Sequence, residues 1–270
     1  MKVQSLFITL IVIYLSLDGL AQETKYSFEN VIGTYSASSS WDGIVIEIEK
    51  SGNYSITNWS DLCVTNKETP NDCLNYDKEW GTFSIEKNFL KFSRDGFRSS
   101  KTEKRQQFDQ LQIVSWSDRY YLIPPNRLLA FINSVNREIT IESSRLKGLF
   151  FSRNGDEKKS VGGLPQLPVY WKNYLLKTPI EAKIIEIIEK NGKVFAKIDK
   201  GNSSGLKVGM QIGDDCAGIS QNDFQIISIN KTSSLVHIDY PRKIGNTLST
   251  KFGDISKCVL DGVDVAKQKP

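Results

Sequence analysis

The sequence predicts a mainly β protein of two domains, an N-terminal antiparallel sheet or barrel with one short helix and a small C-terminal β-barrel. Three observations carry this. Apolar and polar residues alternate repeatedly from Val31 to Phe92; helical spacing occurs once, at Leu128, Leu129, Ile132 and Val135; and a stretch with two Gly and two Pro, Val161 to Pro168, separates two runs of strand pattern. A length of 270 residues suits two modest domains. The expected division is a leader over 1–21, a β domain over 22–164, a linker over 165–179 and a second β domain over 180–270.

In the first domain Ile44, Ile46 and Ile48 share one face of a strand, and Val45, Glu47 and Glu49 the other. Ser51, Gly52 and Asn53 supply turn chemistry before Tyr54 to Trp59, and the pattern returns at Trp80 to Ile85 and, after Lys87 and Asn88, at Leu90 to Phe92. Phe97 to Asp109 is polar and reads as a long hairpin end or loop; strands resume at Leu111 to Trp116 and Tyr120 to Ile123. Pro124 and Pro125 then open the one helix, ending near Asn136 and expected to plug a barrel or cover a sheet face. Short strands are expected at Glu138 to Ile141 and Leu149 to Ser152. Tyr170, Trp171 and Tyr174 read as anchors between the domains. In the second domain Ala182 to Glu189, Asn191, Gly192 and Lys193 to Asp199 form a hairpin whose Asn-Gly turn tolerates two positive φ angles, and strands follow at Phe224 to Asn230 and Leu235 to Tyr240.

The first 21 residues predict export. Lys2 is followed by an apolar run of twelve from Leu6 to Leu17, too short for the ~20 residues of a membrane span, and Gly19, Leu20 and Ala21 match a signal-peptidase site. The mature chain then begins at Gln22, with no transmembrane span. In an oxidising compartment Cys63, Cys73, Cys216 and Cys258 read as disulfides, because no CxxC spacing points to zinc or redox work. Four cysteines allow three pairings; Cys63 with Cys73 and Cys216 with Cys258 keeps each bridge inside one domain.

Three resemblances follow from particular residues. The stretch from Lys200 to Met210, with Gly201, Gly205 and Gly209 four apart and strands on either side, resembles the small β-barrel modules of bacterial envelope and flagellar assembly T-type proteins, which implies a scaffold. Arg119 to Asn136 and Gly163 to Ala182 are similar to segments of uncharacterised secreted bacterial proteins, with no implied activity. Gly33, Thr34 and Tyr35, echoed by Trp80, Gly81, Thr82 and Phe83, resemble the strand starts of lipocalin-like barrels, with Tyr35 standing where Trp is commoner.

Composition and motifs point away from catalysis. His237 is the one histidine, sharing a strand face with Leu235 and Asp239; Ser233 or Ser234 would be its nucleophile, without nucleophile-elbow glycines. No metal motif occurs, and Asp214 with Asp215 reads as a turn; no cofactor is implied. Paired acids for sugar cleavage can be drawn from Glu47, Glu49, Asp61 and Asp77, with nothing in the spacing to select a pair. A net charge of +4 is too dilute for a nucleic-acid footprint, and Arg98, Lys101, Lys104 and Arg105 read as a solvated loop diluted by Glu103 and Asp109. The expected function is therefore an exported, non-enzymatic binding or scaffolding protein of the envelope or extracellular space. The alternative is a carrier of a small apolar ligand lined by Tyr35, Trp80, Phe83 and Trp116; a hydrolase comes third.

Overall fold

The computed structural model describes residues 26–38, 42–60, 75–99, 108–137, 150–214, 224–238 and 242–251. The leader, the four cysteines, the strand expected at Glu138 to Ile141, and Lys101, Lys104 and Arg105 lie outside them. Eight strands, β1 (Gly33–Ser38), β2 (Asp42–Ile48), β3 (Asn53–Ser60), β4 (Asn75–Glu86), β5 (Phe89–Ser99), β6 (Gln110–Trp116), β7 (Arg119–Ile123) and β8 (Phe151–Arg153), pair antiparallel with their chain neighbours. Strand β8 also pairs with β1, so the sheet closes into a barrel and leaves no edge among these strands.

Register fixes the interior. Tyr35 lies opposite Ile46, Ile46 opposite Ile56, and Ile48 opposite Tyr54, so the alternation read in the sequence turns these side chains inward. They meet Leu90, Leu111, Ile113, Leu122 and Phe151 in one buried cluster. Each such aliphatic or aromatic side chain contributes about 1.5–3 kcal/mol by leaving water.

A four-residue helix, α1 (Phe28–Val31), closes the barrel end from which β1 starts. Val31 is fully buried, Phe28 stacks on Phe83 at 5.1 Å, and the Tyr26 hydroxyl meets Ser115 Oγ at 3.2 Å. Arg153 locks this closure: its Nη1 donates to the Asn30 carbonyl at 3.1 Å, its Nε donates to Asp156 Oδ2 at 3.0 Å, and its guanidinium covers the Tyr120 ring at 4.3 Å. The other end of the barrel is the far end, where β1, β3, β5 and β7 finish.

The helix expected after Pro125 is α2 (Leu128–Asn136). It plugs neither end. Leu128, Phe131, Ile132 and Val135 pack on the outward side chains Val114, Tyr121 and Ile123, so β6 and β7 are buried on both faces. The stretch Val161 to Pro168, expected as a domain boundary, forms no regular strand and holds one isolated bridge, Gln166 with Ser115. It runs along the barrel, with the Gln166 amide donating to the Ser115 carbonyl at 2.7 Å and Leu167 buried under α2, before α3 (Val169–Lys172).

A second sheet comprises β9 (Glu181–Lys190), β10 (Lys193–Ile198), β11 (Ile226–Ile229), β12 (Ser234–Ile238) and β13 (Thr247–Ser249), in the order β11-β12-β10-β9-β13. The Asn191-Gly192 turn has φ of 53° and 68°, as its residue types require. Met210 to Gly213 engages both outer strands: the Ile212 amide donates to Phe224 O at 3.0 Å and the Gly213 amide to Ser249 O at 2.9 Å. This sheet has its own apolar cluster, including Ile184, Ala196, Ile198, Ile212, Phe224 and Val236.

The two sheets meet through α2. Asn133 Nδ2 donates to the Gly209 carbonyl at 3.0 Å, and the Gln211 amide donates to Asn133 Oδ1 at 3.2 Å. Asn136 does the same one turn later, donating to Tyr174 O at 2.8 Å and accepting from the Leu176 amide at 2.9 Å. Gly209, at φ 87°, brings its backbone so close to Leu129 that a Cβ there would lie 2.6 Å from Leu129 Cδ2. Of the expected anchors, Tyr174 packs against both apolar clusters, Trp171 against that of α2, and Tyr170 is 65% exposed.

Candidate functional site

The inner face of the barrel changes character toward the far end. Asn58 lies opposite Asp77 and Ile56 opposite Glu79, which places both carboxylates on the face that carries Phe83 and Ile85 further along β4. They are 1% and 4% exposed. Glu79 Oε1 accepts the Tyr54 hydroxyl proton at 2.8 Å and Glu79 Oε2 meets Arg94 Nη2 at 2.8 Å. Burial, and then the hydrogen bond to Glu79, push the Tyr54 phenol far above its ordinary range. It therefore stays protonated and donates.

A β-bulge makes this arrangement. The register slips between Trp80 and Gly81, so that Gly81 faces Arg94 while Trp80 faces Gly96. Arg94, in phase with Phe92, stands on the inner face opposite Gly81, and Phe97 returns to that face opposite Glu79 because Asp95 is left out of the pairing. Phe97 is 40% exposed, so its side chain reaches the surface at this end. Among the described residues, the site is two buried carboxylates, one guanidinium, a phenol and an amide, flanked by the phenyl rings of Phe92 and Phe97. Such a set can hold a small molecule that offers hydrogen-bond donors at one end and apolar surface at the other.

The residues expected to line an apolar cavity divide. Tyr35 and Phe83 face inward, where Tyr35 donates to the Val31 carbonyl at 3.0 Å and Phe83 meets Phe28. Trp80 and Trp116 face outward. Trp80 is 42% exposed with its ring over Gly96, and Trp116 packs edge-on to Phe131 while its Nε1 donates to Gly163 O at 3.0 Å. Strand parity explains the split: Trp80 is out of phase with Glu79 and Phe83, as Trp116 is with Leu111 and Ile113.

Other candidates are dispersed. His237 lies on the outer face of β12 with its ring 5.6 Å from Phe195, whereas Ser234 turns the other way and donates to Lys200 O at 2.7 Å. Asp214 is forked by Arg242, whose Nη2 donates to Oδ1 at 3.0 Å, and Ser55 Oγ donates to Glu47 on the exterior. Among the described residues no three His, Cys, Asp or Glu side chains gather as a metal site would require, and no helix is long and apolar enough to cross a membrane. A cleft of about 190 Å³ between β9, β13 and Asp199 is lined by Glu181, Lys183, Lys200 and Thr247. Glu79 and Arg94 escape notice in a strand pattern that is clearest from Trp80 onward; carried three residues back, the alternation puts Asp77 and Glu79 in phase with Phe83.

No protein-family model matches this chain, and neither a curated protein nor a solved structure matches it.

Proposed function

We propose that this chain is an exported, non-enzymatic binding protein of two domains, a barrel domain that takes a small ligand at its far end and a small β-barrel domain held to it through α2. The leader ending at Ala21 and disulfides Cys63–Cys73 and Cys216–Cys258 belong to this reading. The observation that carries it is the pair Asp77 and Glu79, almost wholly buried inside a barrel whose opposite end is packed with apolar side chains. Charges taken out of water cost several kcal/mol each unless paired, and an apolar lining would fill the barrel more stably. A polar interior at the end where Phe97 reaches the surface is what recognition of a donor-bearing head group requires. Phe92 and Phe97 supply surface for an apolar body, and the packed opposite half limits such a ligand to the outer part of the barrel.

The test is displacement of the neutral fluorophore N-phenyl-1-naphthylamine. Displacement by dodecylamine at about micromolar concentration, weaker displacement by dodecanol, and about tenfold weaker amine affinity in Glu79→Gln are expected. Equal potency of the two competitors, or no loss in Glu79→Gln, overturns the assignment. A second reading, a hydrolase, is favoured by the spacing of Asp77 and Glu79, two residues apart on one strand face and so about 7 Å along the strand, within the range of paired catalytic acids. Turnover of a glycoside abolished by Asp77→Asn would replace the binding reading with that one.

A further inference from the structure

We infer that the strap from Val161 to Tyr174 is a contact site for an anionic lipid surface. Of the ten large apolar side chains left exposed among the described residues, four lie in ten consecutive positions: Val161, Leu164, Val169 and Tyr170. Such a concentration on an irregular segment marks an interaction surface rather than the scatter found on any protein.

The strap is not free to fold these side chains away. The Gly162 amide donates to Ser117 Oγ at 2.8 Å, the Gly163 carbonyl accepts from Trp116 Nε1, and the Gln166 amide pairs with Ser115. Pro165 and Leu167 are buried between the exposed positions, so the backbone is pinned to the barrel while Leu164 and Val169 stand out. Ordering before contact lowers the entropy lost on contact.

The chemistry at the rim selects a lipid surface over a protein. Tyr170, Trp171 and Tyr174 form a three-ring cluster with centroids 5.1 to 5.7 Å apart, and the Tyr170 and Tyr174 hydroxyls meet at 3.4 Å. Rings with an apolar body and a polar edge concentrate at the level of lipid head groups. Lys207 Nζ stands 5.8 Å from the Tyr174 ring, Lys172 lies within the strap, and Lys158 and Lys177 lie just beyond its two ends along the chain. Asp156 is engaged by Arg153 and Lys159, and among the described residues Glu157 and Glu181 are the exposed acids within four positions of Lys158 or Lys177 along the chain. Cations around short apolar projections match an anionic membrane, where each basic residue near the surface adds attraction.

The experiment uses the chain from Gln22, which keeps every described residue, in sedimentation with phosphatidylcholine vesicles with or without about 30% phosphatidylglycerol. Binding to the anionic vesicles, weakened by raising salt from about 0.1 M to about 0.5 M, is expected. The triple substitution V161S, L164S and V169S should weaken it about tenfold, with an unchanged unfolding temperature. Reversal of charge in Lys172→Glu with Lys177→Glu should lower binding to anionic vesicles while leaving the apolar side chains in place. Equal binding to neutral vesicles, no binding at all, or a triple variant that binds like the parent overturns the assignment. Strap-dependent self-association without vesicle binding, seen by light scattering, would give the surface to a second copy of the chain and overturn it equally.

Discussion

Substituting Asn133 tests the joint between the two sheets. The Asn133 amide satisfies two backbone groups at once, the Gly209 carbonyl and the Gln211 amide, from a position that is almost fully buried. Asn133→Ala removes both hydrogen bonds. The Gly209 carbonyl retains a long contact from Gln225 Nε2 at 3.4 Å. Two net hydrogen bonds at about 1 kcal/mol each, plus up to about 2 kcal/mol for removing polar partners from a buried joint, give a loss of about 2–4 kcal/mol. For a chain of this size that corresponds to an unfolding midpoint lower by roughly 6–12 °C. Asn133→Asp is the sharper probe. It keeps an acceptor for Gln211 but turns a carboxylate oxygen toward the Gly209 carbonyl, so near neutral pH it should be less stable than the alanine variant. Lowering the pH protonates that carboxyl, restores a donor, and should narrow the gap. Thermal unfolding of both variants near pH 7 and pH 4 checks this; an aspartate variant at least as stable as alanine near neutrality refutes the clasp.

The remaining predictions concern the barrel. Burial would raise the Asp156 carboxyl, but hydrogen bonds from Lys159, the Tyr120 amide and Arg153 outweigh it and hold the group below the usual carboxylate range. Its stabilising contribution is therefore complete above about pH 4 and lost as pH falls through the lowered folded value; urea unfolding across that window should show a shallower acid loss in Asp156→Asn than in the parent. Tyr54, pushed up by burial and by Glu79, should not ionise near pH 10, so the ultraviolet titration amplitude there should match in Tyr54→Phe and parent; a smaller amplitude in the variant would contradict the buried hydrogen bond. A Cβ at Gly96 would lie 2.3 Å from Trp80 Cζ2, so Gly96→Ala should lift the indole off the sheet and shift its emission to the red at a cost of about 1 kcal/mol. An unchanged emission spectrum would place that ring elsewhere.

Much of the barrel was legible because its strands are buried on one face only. Ile44, Ile46 and Ile48 alternate with Val45, Glu47 and Glu49, the Asn191-Gly192 turn announces its hairpin, and the spacing of Leu128, Leu129, Ile132 and Val135 gives the helix that the structure ends at Asn136. Strands β6 and β7 read less well as half-buried elements, because α2 covers their outer face and removes the alternation: Leu111 to Ser115 is buried at every position. Closure by β8 was equally hidden. Three residues of strand, Phe151–Arg153, carry little pattern, and what holds them is the long-range reach of Arg153 to Asn30 and Asp156.

The candidate site was missed for a different physical reason. A period of two assigns faces only while the ladder keeps step, and β5 gains one residue on β4 between Trp80 and Gly81. Reading Phe92 inward and counting on by twos through β5 reaches Arg94 and Gly96, and so puts Gly96 in the barrel and Phe97 outside it. The bulge reverses that second half, sending Gly96 outward beneath the Trp80 ring and Phe97 inward beside Glu79. The slip therefore returns Phe97 to the interior just beyond Arg94, whose guanidinium already stands in line with the buried Glu79 carboxylate. Deletion of Asp95 would restore continuous pairing with Gly96 still opposite Trp80 and Phe97 still opposite Glu79, so that variant should keep both amine binding and the closed end of the barrel, α1 with Arg153; loss of amine binding would refute the register argued here.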